Sequence, residues 1–149
     1  MHALILEHNS WIILTIEDVL REIGFSSFAV ASDPMTANSA AMVEAPDLIV
    51  CGTWYRNLDA IESIRTIYAD RTTPMVFLST SPGEVLDVLP QAVVVAKPFL
   101  DQALKEGVVR AMSEACSQAL KRLTGLRISG QGDRMNQALE PRRAAGAGS

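Results

Sequence analysis

The chain has 149 residues, of which 48 % are hydrophobic and 20 % charged, a composition that predicts one hydrophobic core and excludes wholesale disorder. It holds no apolar run near the roughly 18 residues a spanning helix needs, and MHALILEHNS breaks too early for a signal peptide, so a cytoplasmic location is expected. The net charge of -4 divides unevenly, with 7 Lys and Arg against 15 Asp and Glu in residues 1–115 and 6 against 2 in residues 116–149.

An acidic body argues against nucleic acid as the main partner, because phosphate contacts need clustered cations. Cys51 and Cys116 have neither the number nor the spacing of a disulfide framework or a zinc site, and both are read as buried thiols.

The run Ala3-Leu4-Ile5-Leu6 stops at Glu7-His8-Asn9, as a buried strand stops at the carboxyl edge of a sheet. Ser10 is placed as the cap of a helix in which Ile12, Ile13, Ile16, Val19, Leu20 and Ile23 recur at helical spacing before Gly24. Phe25 to Ala31 reads as a second strand. Asp33-Pro34 then opens a helix that ends before Pro46.

Leu48-Ile49-Val50-Cys51 is continuous, apolar and β-prone, which suits a strand covered on both faces, and it ends at Gly52-Thr53. Asp59 can start a helix whose positions Ile61, Ile64, Ile67 and Tyr68 share one side. Met75 to Leu78 and Ala92 to Val95 are two further apolar runs, separated by the short segment Ser81 to Leu89. A stripe from Leu100 through Leu104, Val108, Met112, Ala115 and Ala119 to Leu123 predicts a last helix. From Gly125 the periodicity is lost, so residues 1–124 are assigned to the domain and residues 125–149 to a flexible basic tail.

Five apolar strands alternating with helices give a doubly wound α/β domain: a five-stranded parallel sheet of flavodoxin-like form, covered on both faces as a three-layer sandwich. Ligands in such folds collect at the carboxyl ends of the strands. Those ends hold Glu7-His8-Asn9, Gly52-Thr53, Ser79-Thr80 and Lys97-Pro98.

With these features in order, the chain resembles the receiver domain of bacterial response regulators over roughly residues 2–118. The resemblance rests on the acidic position after the first run, PDLIV, LDAIESIR, PMVFLS and AKPF. It implies a magnesium-binding acidic pair at Glu7 and His8, a phosphate-accepting aspartate at the position of Gly52, a hydroxyl at Ser79 and a lysine at Lys97. Two of these five positions depart from the pattern. His8 is no carboxylate, and Gly52 has no side chain to phosphorylate. The aromatic switch position of the family falls on Val94.

Magnesium prefers oxygen ligands, so Glu7 alone is a poor site, and without an acceptor carboxylate no acyl phosphate forms. The phosphorylation site is read as vestigial, with no cofactor, no bound metal and no enzymatic activity expected. The reading is a stand-alone, receiver-like signalling module in a two-component or phosphorelay-type pathway, acting through protein contacts. Its alternatives are a phosphorelay receiver using His8 or Asp59 as acceptor, or a flavodoxin-like ligand-binding protein. The latter lacks a Gly-rich or Ser/Thr-rich phosphate loop at EHNSW.

Two contact surfaces are expected. Trp54, Tyr55 and Arg56 are contact-type residues in one loop. On the last helix, Cys116, Ala119, Leu120 and Leu123 form a stripe for a signalling partner or for a homodimer, with no membrane contact expected.

Overall fold

Short apolar runs bounded by polar breaks can bury both faces only inside a covered parallel sheet, and the computed structural model of the chain shows that arrangement. The structure describes residues 1–52 and 73–148, with side chains through residue 125. Thr53, Trp54, Tyr55, Arg56, Asp59 and the helix expected around Ile61 to Tyr68 lie outside the described residues.

The strands are β1 (His2–Leu6), β2 (Ser27–Ala31), β3 (Leu48–Gly52), β4 (Met75–Ser79) and β5 (Val93–Ala96). They form one parallel sheet in the order β2-β1-β3-β4-β5, the flavodoxin-like order. The helices are α1 (Ser10–Ile23), α2 (Pro34–Val43), α3 (Pro82–Val88) and α4 (Asp101–Gly148).

Period-two alternation divides the core. Ala3, Ile5, Leu48, Val50, Val76, Leu78, Val93 and Val95 face α1 and α4, where they meet Ile16, Leu20, Leu104 and Val108. Leu4, Leu6, Ile49, Cys51 and Phe77 face the opposite way, onto Ala37 and Ala41 of α2 and Val85 of α3. Val94 packs partly buried on this second side.

Gly107 lets α4 approach the sheet closely. A Cβ built there would stand 2.7 Å from Val95 Cγ2, so the absence of a side chain sets the contact distance. Gly24, at φ 118°, closes α1 by donating its N–H to the carbonyls of Leu20 and Arg21.

Several boundaries differ from the expectation. Asn9 caps α1, not Ser10: its Oδ1 accepts from Trp11 N at 3.0 Å and Ile12 N at 3.3 Å, and Ser10 is the first helical residue. Asp33 caps α2 as expected, accepting from Thr36 N at 2.7 Å. Leu100 precedes α4 and is exposed, so the buried stripe begins at Leu104. Cys51 is buried, but Cys116 is exposed: it begins the unit Cys116–Ser149, past the last residue of α4 that belongs to the core, Ala111, with Met112 packed partly against it. The helical backbone continues beyond Leu123 through Gly148.

The chain divides into two units, Met1–Ala115 and Cys116–Ser149. Among the described residues, no helix is long and apolar enough to cross a membrane.

Candidate functional site

The sheet register brings the predicted site residues to one edge. Leu6 pairs with Cys51, Gly52 with Leu78, and Ser79 with Ala96, so Glu7, Gly52, Ser79 and Lys97 all stand at strand carboxyl ends. The backbone ties the last two together, with Lys97 N donating to the Ser79 carbonyl at 2.8 Å. The Lys97–Pro98 peptide is cis.

Glu7 is the centre of the arrangement. Its side chain is 1 % exposed, and Lys97 Nζ donates to its Oε2 at 3.1 Å. Its Oε1 accepts from the backbone N–H groups of His8 at 3.0 Å and Asn9 at 3.2 Å. His8 Nδ1 lies 3.3 Å from the same oxygen, while the rest of the ring reaches solvent.

Lys97 and Glu7 approach from strands three positions apart in the sheet, a span of about 14 Å at normal strand spacing. Gly52 stands at the end of β3, one of the two intervening strands, and offers no side chain to intercept the lysine. The pair therefore closes directly. Both of its members are largely removed from water, so this is not the weak surface bridge that sequence alone allows.

Cys51 lies one residue before Gly52 and 3 % exposed. Burial, with the negative charge of Glu7 adding to it and Lys97 opposing it, pushes its thiol up to about 12. The thiol is neutral at ordinary pH and is not a nucleophile there. Its Sγ donates to the Gly52 carbonyl at 3.8 Å.

Ser79 is buried, and its Oγ accepts from Ser81 N at 2.9 Å, a local bond that orders the chain after β4. The sequence signals for the cap and the carboxylate were separate residues, Asn9 and Glu7. That the loop between them folds its N–H groups onto Glu7 is legible only from the geometry.

This donor set does not fit magnesium. A hard cation needs several oxygen ligands at an open position. Here one Glu7 oxygen is held by an ammonium group and the other by two N–H groups, and neither His8 nor Gly52 supplies a carboxylate. Among the described residues, no group of three His, Cys, Asp or Glu side chains is placed to hold a metal ion.

The chain shares its fold with response regulator receiver domains. The receiver domain of the Erythrobacter litoralis PhyR response regulator superposes with a TM-score of 0.63 at 23 % identity, over 74 % of this chain and 88 % of that one. The anti-anti-sigma factor PhyR of Bartonella quintana gives 0.67 at 20 % identity, over 82 % of this chain and 51 % of that one. The Vibrio cholerae chemotaxis protein CheY4 gives 0.61 at 17 % identity, over 74 % and 97 %.

The match spans 44 % of the PhyR stress response regulator, less than half of that longer protein. No family model and no curated protein matches the sequence.

Proposed function

We propose that this chain is a receiver-like signalling module of a two-component or phosphorelay-type pathway that works through protein contacts and is not phosphorylated at the usual position. One observation carries the reading. The lysine that a receiver directs at a phosphoryl group is bonded to the buried Glu7 at 3.1 Å, and the acceptor position is Gly52.

An aspartyl phosphate needs a carboxylate nucleophile, and the electrostatic stabilisation of a transferred phosphoryl group needs uncommitted cations. Glu7, His8, Gly52, Ser79 and Lys97 thus form a vestigial site, and Val94 a silent switch position. The module is a binding protein without enzymatic activity, and it acts in the cytoplasm. Residues 1–124 carry the module. Residues 125–149 are a basic appendage that the fold does not require.

Its contacts run through the last helix, to a second copy or to another signalling protein. The exposed positions of Leu120 and Leu123 support this. The test is incubation with acetyl phosphate and magnesium, followed by intact mass measurement. No phosphoryl adduct is expected; a stoichiometric, hydroxylamine-labile adduct overturns the reading. An acid-labile adduct that maps to His8 instead would favour the alternative acceptor.

A further inference from the structure

Helix positions that recur in steps of four and three form the seam of a two-stranded helical pair, because such steps keep one side of the helix turned toward a partner. On α4, Val109, Ser113, Cys116, Leu120 and Leu123 follow one another in those steps, and all five are exposed. Val109 is 55 % exposed, Leu120 62 % and Leu123 64 %. The single chain leaves this seam uncovered from end to end.

The charges beside the seam decide what fits it. Glu114 and Lys121 are exposed and stand seven residues apart, so they share one flank of the seam, with Ser117 between them. Arg110 Nε lies 3.8 Å from Glu114 Oε1, a loose pair that leaves the Glu114 side chain 50 % exposed. Met112 and Ala119 occupy the other flank and carry no charge, and Arg122 lies toward the back of the helix.

Parallel copies bring unlike flanks together, which would set Glu114 and Lys121 of one copy against Met112 and Ala119 of the other. Antiparallel copies bring like flanks together. With Leu120 of each copy against Cys116 of the other, Leu123 falls against Ser113, and Glu114 comes level with Lys121 of the second copy to within one residue's rise, about 1.5 Å. Arg110 then stands nearest the uncharged Thr124 of the second copy. The antiparallel pair is therefore complementary in charge to itself.

We infer that two copies of this chain pair antiparallel along α4 through Ser113, Cys116, Leu120 and Leu123, with Glu114 and Lys121 of each copy forming ion pairs to Lys121 and Glu114 of the other. This rests on the reading of the last helix as a contact surface and adds its occupant and its direction. The contact is isologous, with its two-fold axis crossing the helices at the level of Gln118, so a single face of each copy is used and no free half is left. Only residues of α4 enter it.

The test is sedimentation equilibrium of the full-length chain at concentrations up to about 1 mM, the weak end of specific association. The unaltered chain is expected to approach twice the chain mass as concentration rises. Leu120→Glu with Leu123→Glu is expected to stay monomeric and to keep its cooperative thermal transition, because both positions are exposed. Glu114→Lys and Lys121→Glu, made separately, each set like charges against one another twice per dimer, and each is expected to raise the dissociation constant about tenfold.

Two further measurements isolate the direction of pairing. The chain carrying both Glu114→Lys and Lys121→Glu is expected to return close to the unaltered dissociation constant. An equimolar mixture of the two single variants is expected to form a heterodimer tighter than either homodimer, because the two basic positions of one meet the two acidic positions of the other. Charge variants that dimerise as well as the unaltered chain, as parallel pairing predicts, overturn the inference, and so does a mixture without preference for the heterodimer or an exchanged chain that does not recover. An unaltered chain that stays monomeric overturns it as well. Loss of the thermal transition in the leucine variant would place the strip in the monomer's own core, which also overturns it. None of these outcomes alters the acetyl phosphate result, so the two readings fail separately.

Discussion

The carboxyl edge of the sheet and the α4 segment beyond Ala115 treat their chemical groups in opposite ways. At the edge, the buried Glu7 carboxylate and the largely covered Lys97 ammonium group are bonded to each other. On the helix, leucines that a monomer would bury are left exposed. Each region also carries one of the two cysteines, Cys51 inside and Cys116 outside. The contrast separates a charged pair closed inward by its own residues from apolar surface that the single chain leaves open.

The cysteines provide the sharpest way to break this comparison. Cys51 is pushed up to about 12 from the ordinary thiol value near 9, which lowers its thiolate fraction at neutral pH by about a thousandfold. At neutral pH and at a chain concentration low enough to keep the chain monomeric, a disulfide reagent is expected to titrate Cys116 quickly and Cys51 only on unfolding.

The sign of the linked stability follows. Between about pH 9 and pH 12 the folded chain keeps a proton that the unfolded chain has released, so the contribution is fully present below the ordinary value and stability falls as pH rises through this window. A Cys51→Ala variant is expected to lose that component of the alkaline destabilisation. Two fast thiols in the native chain would show that the site edge is open.

The next effect is on the buried pair. Lys97→Ala leaves Glu7 without its cation, at 1 % exposure, and is expected to cost about 3 to 5 kcal/mol in denaturant unfolding. The paired change Glu7→Gln with Lys97→Met removes both charges and is expected to recover most of the loss. If Lys97→Ala costs less than about 1 kcal/mol, Glu7 is hydrated in the fold and the edge is not closed.

The sheet was legible because each strand is a continuous apolar run between polar breaks, whereas the strand order β2-β1-β3-β4-β5 is one of more than one that a parallel, doubly wound sheet admits. The strand-end placement of the candidate residues was legible, since the ends of the apolar runs locate Glu7, Gly52, Ser79 and Lys97 without any distance. What the residues did to one another was not. Whether Glu7 is solvated or buried depends on how far Lys97 reaches across the sheet, a long-range fact without a local pattern.

The same holds for Cys116, whose apolar character predicts burial wherever a neighbour exists to cover it. Asn9 and Ser10 are both good caps, and only the backbone decides between them. Gly107 gave no signal at all, because a glycine in a helix reads as a cost until the opposing valine is seen.

That valine gives the third prediction, which sharpens how tightly the closed region is packed. Gly107→Ala gains helix propensity of about 1 kcal/mol in an exposed helix. Here the added methyl meets Val95 Cγ2 at 2.7 Å, so α4 or β5 must shift. A net loss of about 1 to 3 kcal/mol is expected from overpacking. The variant Gly107→Ala with Val95→Ala is expected to recover part of it, whereas a stabilised single variant would mean that the helix rides farther from the sheet.

The smallest effect belongs to the exposed region. Leu120→Gln and Leu123→Gln remove apolar groups that are 62 % and 64 % exposed, and exposed substitutions away from caps and pairs usually change stability by no more than about 0.5 kcal/mol. Both glutamines keep good helix propensity and add no charge, so neither the backbone nor the surface field changes. The measurement must be made at low chain concentration, since a dimer stabilises the folded state by mass action and would add its own dependence on the leucines. At high concentration the same variant is expected to lose stability against the unaltered chain, and the gap is expected to widen with concentration. A gap that stays constant on dilution places the leucines in the monomer's own packing, and the contrast between the closed edge and the open helix then disappears.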